Sequence, residues 1–251
     1  AFFNMAIKLT IPESLNEITL GQYQKWLKIT DGKEMNTFYQ QKMIEIFCKT
    51  RLIDALRMKV TDINKITFDL NKIFEDKPAF KDRFRMNEKE FGFIPKLDDM
   101  TFGEYVDLDN YLNEWETMDK AMGVLFRPIS FKRKGQYRIE EYETASKYNM
   151  KNMPLDIVMA SLLFFLEFKK RIIETYSELF TESARSEFAS TSDSFIKKWG
   201  WYQSIYGLSK GDIRNISEVT KLKLHQCLYM LSFEKDKAKV EESILKRNAK
   251  R

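Results

Sequence analysis

The sequence predicts a mainly α protein with short β-hairpins (α+β). We expect a helical N-terminal domain that contains two strand-to-capped-helix units, followed by a small C-terminal helical domain. Apolar residues recur at helical spacing along much of the chain, which has 251 residues of which 43% are hydrophobic. In two segments, apolar and polar residues alternate on either side of a short turn, as they do in β-hairpins. One sequence phrase that opens a helix occurs twice. A chain of this size buries one large core or two modest ones.

The repeated phrase runs from Ile11 to Tyr23 and again from Ile94 to Tyr105. Each copy consists of an apolar extended segment closed by proline, an acidic turn, and a threonine followed three residues later by Gln or Glu. This is the capping-box signature of a helix start. Such a phrase organises a fold and holds no reagent for chemistry. The predicted caps are Thr19 with Gln22 and Thr101 with Glu104.

The elements before residue 129 are predicted from the spacing of apolar residues and from the glycines and prolines that end helices. The turn at 30–32 interrupts the first capped helix, and Pro78 and Pro128 each end a later helix. In chain order the predicted elements are a helix over 20–27, a helix carrying Phe38 to Phe47, a capped helix from Thr61 to before Pro78, a β-hairpin over 80–94 around the turn 86–89, a helix from Phe102 to Trp115, and a helix over 118–126.

The later elements include a second hairpin, 129–139, with a basic tip at 133–135. Pro154 then opens what we predict to be the longest helix, running to about Phe180 and apolar almost all round over 155–168. Residues 181–194 are Ser/Thr-rich and predict a linker. A helix over about 222–231 and a separate charged C-terminal helix follow, and 213–220 echo the phrase faintly, which we interpret as coincidence. The predicted domains are therefore 1–180 and 195–251.

No catalytic constellation is evident. His225 is the only histidine, and Cys227 lies two residues away, so the two side chains point to different sides of a helix. The acids of the second phrase match no calcium loop and suit a helix N-terminus without a metal. The chain lacks a Gly-rich phosphate loop, and its two distant cysteines fit a reducing cytoplasm. We predict no catalytic residue, no cofactor, no metal and no enzymatic activity.

Binding surfaces are the better prediction. The net charge of +5 is small beside 42 basic and 37 acidic residues, so it favours nucleic acid only weakly. The candidate nucleic-acid contacts are Lys132, Arg133 and Lys134 at the hairpin tip and Lys246 and Arg247 in the tail, although acids at helical spacing predict ion pairs in the tail. The candidate protein-binding residues are Tyr105 and Trp115 on the capped helices and Trp199, Trp201 and Tyr202 in the C-terminal domain.

Four motifs carry a family resemblance: Asp98–Leu108, Leu125–Pro128, Glu141–Glu143 and Met153–Leu155. They resemble proteins of the structural-gene modules of tailed bacteriophages, including crAss-like phages, and the family of tail or baseplate assembly chaperones. The likeness covers roughly residues 7–168, with a looser match over 195–233. It implies a non-enzymatic role in virion assembly, and it leaves open whether the protein stays in the finished particle.

The expected partners are other phage structural proteins of the neck, tail or capsid, with further copies of the chain as another option. The expected location is the virion or the host cytoplasm during assembly. No membrane role is predicted, because the most apolar run, Ile157–Leu166, is much shorter than the roughly 20 residues that span a bilayer. The alternative function is a virion-associated nucleic-acid-binding protein that contacts packaged DNA through the basic tip and tail.

Overall fold

The computed structural model of the chain describes residues 9–144, 148–180 and 198–249. It confirms the predicted class, since helices dominate these residues and the strands form short hairpins. The helices are α1 (Leu20–Thr30), α2 (Thr37–Phe47), α3 (Leu52–Leu56), α4 (Val60–Phe74), α5 (Phe102–Tyr111), α6 (Met118–Leu125), α7 (Leu155–Thr175), α8 (Ser177–Phe180), α9 (Tyr202–Leu208), α10 (Ile216–Lys221) and α11 (Leu224–Asn248). The strands are β1 (Arg83–Met86), β2 (Lys89–Phe93), β3 (Phe126–Arg133) and β4 (Gln136–Ile139). None of the helices in these ranges has both the length and the apolar character needed to cross a membrane.

The chain divides into two compact units whose boundaries differ from the predicted ones. The first unit joins the chain up to Phe93 with Tyr111–Phe164, and the second joins Ile94–Asn110 with the chain from Phe165 onward. Segments far apart in sequence share a unit because each copy of the repeated phrase pairs with a segment from much further along the chain. The predicted linker, residues 181–194, lies outside the described residues.

Both predicted hairpins are confirmed, and they form one antiparallel sheet in the first unit. Asn87 and Glu88 join β1 to β2 with φ angles of 50° and 64°, and Lys134 and Gly135 join β3 to β4 with φ angles of 48° and 80°. Positive φ at both central residues is typical of a two-residue hairpin turn. β2 also pairs with β3, which gives the order β1-β2-β3-β4. Phe126, which we predicted to end a helix, begins β3.

Phenylalanine rings on one face of this sheet form part of the core of the first unit. Phe84 contacts Phe91 and Phe126 at 5.4 Å and 5.2 Å between ring centroids, and Phe93 contacts Phe126 at 5.2 Å. All four side chains are at most 9% exposed. The period-two alternation of the strands therefore aims these rings inward from both hairpins.

Both copies of the repeated phrase form a complete capping box. In the first, the Gln22 N–H donates to the Thr19 hydroxyl oxygen (3.3 Å), and the Thr19 N–H donates to Gln22 Oε1 (2.9 Å). In the second, the Glu104 N–H donates to the Thr101 hydroxyl oxygen (3.2 Å), and the Thr101 N–H donates to Glu104 Oε2 (2.7 Å). Each box satisfies backbone donors that the first helical turn leaves without a helical partner.

Each cap threonine also pairs with the residues that open a later helix. We call these arrangements the first joint, 18–22 with 151–155, and the second joint, 100–104 with 220–224. Thr19 forms an antiparallel bridge with Pro154, and Thr101 forms one with Lys223. The flanking hydrogen bonds are Leu20 N to Met153 O (2.9 Å) and Leu155 N to Ile18 O (2.8 Å) in the first joint, and Phe102 N to Leu222 O (2.8 Å) and Leu224 N to Met100 O (2.9 Å) in the second. The joints share one bonding pattern, and each unit contains one of them.

The glycine of each phrase lets the two segments of its joint approach closely. A Cβ atom on Gly21 would lie 3.1 Å from the carbonyl oxygen of Lys151, and one on Gly103 would lie 3.0 Å from the carbonyl oxygen of Thr220. Lys151 and Thr220 each precede the bridging residue by three positions, so the close approach repeats as well. The two strand-to-capped-helix units therefore share one bonding pattern, but the second is completed by residues 220–224 and so does not lie within the predicted domain 1–180.

Several helix predictions are wrong. The helix that we predicted to be capped at Thr61 begins at Val60, and its N-cap residue, Lys59, makes no side-chain capping bond. The helix from Phe102 ends at Tyr111 and does not reach Trp115.

The helix after Pro154, α7, ends at Thr175 rather than near Phe180. Its apolar part is not buried all round, because Leu163 is 58% exposed and Phe164 is 44% exposed. The longest described helix is instead α11, which runs unbroken from Leu224 to Asn248 where we predicted two helices. Residues 232–238 contain neither glycine nor proline, so nothing in them ends the helix.

Candidate interaction surfaces

Four of the five predicted protein-binding aromatics lie in the second unit, and they divide between its interior and its surface. Tyr105 is 1% exposed, and the Trp201 ring packs edge-on against it at 5.6 Å between centroids. The Trp201 indole N–H donates to Asp109 Oδ2 (2.8 Å), and Lys169 Nζ lies 2.5 Å from the other oxygen of that carboxylate. These contacts hold the second unit together. Tyr105 therefore lies in the core and not on the surface where we placed it, because its face of α5 packs inward against Trp201.

Trp199 and Tyr202 remain on the surface of the second unit. They are 42% and 45% exposed, their ring centroids are 5.6 Å apart, and the Lys198 ammonium lies 5.1 Å from the Trp199 ring. In the first unit, Trp115 is half-buried with its ring edge-on to Tyr23 at 4.9 Å. Exposed Trp and Tyr are the residues most often found as anchors of protein interfaces, so the surface pair stays a candidate.

An apolar stripe on α11 is a candidate surface that the sequence did not lead us to predict. Its members, which we call the α11 stripe, are Tyr229, Met230, Phe233, Val240 and Ile244. They recur at helical spacing on one side and are between 43% and 73% exposed. The opposite side of the helix carries Leu224, Cys227 and Leu228, which are buried. Every residue from 236 to 249 is exposed, so the stripe continues past the part of α11 that packs into its own unit.

The basic residues of the tail are largely paired with acids on the same helix. Lys237 Nζ lies 3.7 Å from Glu241, and Lys246 Nζ lies 2.5 Å from Glu242. The Lys246 ammonium lowers the pKa of Glu242 through that hydrogen bond. Arg247 has no ion-pair partner among the described residues. Of the two predicted nucleic-acid contacts in the tail, only Arg247 therefore presents an uncompensated charge.

One face of the β3–β4 hairpin is closed by contacts to the rest of the sheet. Lys132 Nζ lies 3.0 Å from Glu90 Oε1. A Cβ on Gly92 would lie 2.4 Å from the ring of Tyr137, so the missing side chain makes room for that ring. The Tyr137 hydroxyl donates to the Phe93 carbonyl oxygen (2.9 Å), and burial raises the pKa of that hydroxyl to about 12.

The other face of the hairpin is open. Phe131 is directly opposite Arg138 across the strands, and Arg133 is directly opposite Gln136, so all four side chains share this face. Phe131 is 53% exposed. A depression of about 320 Å³ on the hairpin is lined by Phe131, Arg133, Lys134, Gln136, Tyr137 and Arg138. We call Phe131, Arg133, Gln136 and Arg138 the open face.

The reactive side chains have structural surroundings. Tyr176 Oη and His225 Nδ1 are 2.9 Å apart, and His225 Nε2 lies 3.3 Å from Asp98 Oδ1. Burial, with a smaller contribution from the Glu178 charge, raises the pKa of Tyr176, so its hydroxyl stays protonated near neutral pH. Burial also raises the pKa of both cysteines, Cys48 and Cys227, to about 11, which leaves neither thiol as a nucleophile near neutral pH.

The acids of the second phrase have separate partners. Asp99 lies 2.6 Å from Lys223 Nζ, and that hydrogen bond lowers the pKa of Asp99. Glu104 closes the capping box of α5. Within ranges 9–144, 148–180 and 198–249, His, Cys, Asp and Glu side chains form no group of three or more that suits a metal ion.

Comparison of the chain with protein-family models, curated proteins and solved structures found no match. The surfaces described above and the resemblance of the four sequence motifs are therefore the basis for a functional proposal. Two of these surfaces had a signal in the sequence. The α11 stripe follows from the spacing of Phe233, Val240 and Ile244, and the open face follows from the alternation of Phe131 and Arg133 on β3.

Proposed function

We propose that this chain is a non-enzymatic bacteriophage morphogenesis protein that acts by binding other structural proteins, either as a neck or tail component or as a tail assembly chaperone. The observation that carries the proposal is the α11 stripe, an exposed apolar face on a helix whose other exposed residues are mostly charged or polar. The phage context is supported by the resemblance of Asp98–Leu108 and the three shorter motifs. The virion or the host cytoplasm is the corresponding location.

The α11 stripe suits a partner that offers a groove or a second amphipathic helix. Its side chains are about half exposed, so full burial would contribute about 1 kcal/mol for each. Five such side chains give about 5 kcal/mol, which falls short of the roughly 8 kcal/mol of micromolar binding. A second contact is therefore needed, and the exposed pair Trp199 and Tyr202 in the same unit supplies candidate anchors.

A pair of single substitutions on α11 tests the proposal. Val240→Asp places a charge in the centre of the stripe, and Ala238→Asp places the same charge on the opposite side of the helix, two residues away. Both positions are exposed, so neither variant disturbs the core. The tagged native chain and the Ala238→Asp variant should co-purify with a phage neck, tail or capsid protein from infected cells, and the Val240→Asp variant should lose that protein. Equal recovery with all three chains, or no phage structural protein with any, would contradict the proposal.

Mass spectrometry of purified virions separates the two forms of the proposal. A structural component is present in the particle at a stoichiometric level, whereas an assembly chaperone is found in infected-cell extracts and is absent from the particle.

A second candidate function is contact with nucleic acid through the basic tip, as in a protein that touches packaged DNA. The open face of the β3–β4 hairpin favours it, because Arg133, Lys134 and Arg138 have no ion-pair partner in the described part of the chain. The tail gives it little support, since Lys246 is paired with Glu242.

A further inference from the structure

We propose that the open face of the β3–β4 hairpin, with the adjacent Lys134 of the turn, binds single-stranded nucleic acid. In this arrangement the Phe131 ring stacks on an unpaired base while Arg133, Lys134 and Arg138 contact phosphates. The inference rests on the second candidate function, and it names the ligand class and the residues of the site. It is independent of the α11 stripe, which lies in the other unit.

The two faces of the hairpin differ in how their side chains are engaged. Lys132 and Tyr137 are directly opposite each other and are both engaged, Lys132 by Glu90 and Tyr137 by the Phe93 carbonyl. The open face has an exposed aromatic ring and two arginines with no such contacts. Because alternate residues of a strand point to opposite faces, one set of side chains contacts the rest of the sheet and the other set is exposed.

The open face and the adjacent turn are positively charged. Arg133, Lys134 and Arg138 place three positive charges around one exposed ring, and no acidic side chain among the described residues pairs with them. Glu140, two positions after Arg138 on β4's continuation, accepts a hydrogen bond from the Tyr148 hydroxyl (3.4 Å) and marks the end of the basic surface. A basic surface with an aromatic platform is the combination that binds single strands, since every base has a face that can stack.

The position of the ring selects a single strand over a duplex. An aromatic side chain that inserts into a duplex has to lie at the tip of the element that carries it. The tip of this hairpin is formed by Lys134 and Gly135. Phe131 lies three residues before the tip, about 10 Å behind it at the rise of a β-strand. Its ring therefore lies along the side of the hairpin, where an unstacked base can reach it and a base inside a duplex cannot.

The test is the binding of fluorescein-labelled 15-nucleotide oligo-dT and oligo-U to the full chain at low salt, followed by anisotropy. We expect both probes to bind, with a salt dependence of log K on log salt near −2, from about 0.7 for each of three phosphate contacts. Phe131→Ala should weaken binding by about 5- to 150-fold with the slope unchanged, as expected for one lost stack of about 1–3 kcal/mol. Arg133→Gln and Arg138→Gln should each reduce the slope by about 0.7.

Lys132→Gln is the matched control, because it removes an equal charge from the closed face of the same hairpin, and it should change binding by less than about twofold. A preference for one probe identifies DNA or RNA as the ligand. The proposal is overturned if neither probe binds, if a duplex of the same length binds as well as oligo-dT, if Phe131→Ala binds like the native chain, or if Lys132→Gln weakens binding as much as Arg133→Gln. The Val240→Asp variant should bind both probes normally, which separates this outcome from that of the protein-binding proposal.

Discussion

Replacing the glycine of the second joint with alanine should destabilise the protein, although alanine is the better helix former. A Cβ on Gly103 would lie 3.0 Å from the carbonyl oxygen and 3.1 Å from the Cβ of Thr220, whereas carbon contacts are most favourable at about 3.5–4.0 Å. Thr220 is held in place, because the hydrogen bond from the Phe102 N–H to the Leu222 carbonyl (2.8 Å) fixes the segment that follows it.

The magnitude follows from two opposing terms. Alanine gains up to about 1 kcal/mol over glycine in a helix, and inserting an atom into a packed contact costs about 1–3 kcal/mol. We expect Gly103→Ala to lower the free energy of unfolding by about 1 kcal/mol, and Gly21→Ala to do the same because its Cβ would lie 3.1 Å from the Lys151 carbonyl oxygen.

Gly207→Ala is the matched control for both. Gly207 lies in helix α9, and a Cβ there would meet nothing within 4 Å. It should therefore gain about 0.5–1 kcal/mol. Urea unfolding followed by circular dichroism measures the three midpoints, and hydrogen exchange at the Phe102 amide reports on the second joint directly. If Gly103→Ala raised the midpoint as much as Gly207→Ala, the close approach in the joint would not be a constraint, and this reasoning would be refuted.

Three further predictions concern caps, thiols and a buried hydroxyl. Thr19→Ala and Thr101→Ala should each cost about 1 kcal/mol of unfolding free energy by urea titration, while Thr101→Ser should keep most of it, and a harmless alanine would contradict the role of the boxes. Cys48 and Cys227, with pKa values raised by burial to about 11, should react with Ellman's reagent at pH 8 only after urea is added, and prompt reaction of the folded chain would show that they are accessible. The folded pKa of Tyr137 is about 12 against an unfolded value near 10, so its contribution to stability is fully present below pH 10 and is lost as the pH rises towards 12. At pH 8, Tyr137→Phe should lower the free energy of unfolding by about 1 kcal/mol, because the hydrogen bond to the Phe93 carbonyl is lost. Between pH 8 and pH 10.5, the free energy of unfolding should fall less in this variant than in the native chain. Equal falls would contradict the raised pKa of Tyr137.

Local signals were predictable from the sequence, and long-range pairing was not. The capping boxes at Thr19 and Thr101 and both hairpins depend on residues within a few positions of one another, and the pattern of side chains determines them. The bridge from Thr101 to Lys223 depends on backbone groups that almost every residue carries, so no residue type in the sequence predicts it. Residues 213–220, which faintly echo the phrase, end at Thr220, three positions before the bridging residue Lys223.

Two differences between the predicted and the observed surfaces have a related physical reason. Tyr105 was expected to meet a partner, but its helical face is the one that packs against Trp201, and an aromatic residue looks the same in a core as at an interface. The α11 stripe was missed because the helix was divided at residue 231, which separated Met230 from Val240 and hid their common side.

The most direct test of the protein-binding proposal is site-specific photo-crosslinking during infection. A benzophenone amino acid is introduced at position 240, in the α11 stripe, and separately at position 238, on the opposite side of the helix. Irradiation of infected cells followed by mass spectrometry should give a crosslink from position 240 to a phage neck, tail or capsid protein and none from position 238. No crosslinked phage structural protein at position 240, or equal crosslinking at both positions, would contradict the proposal that this chain assembles virions through that face.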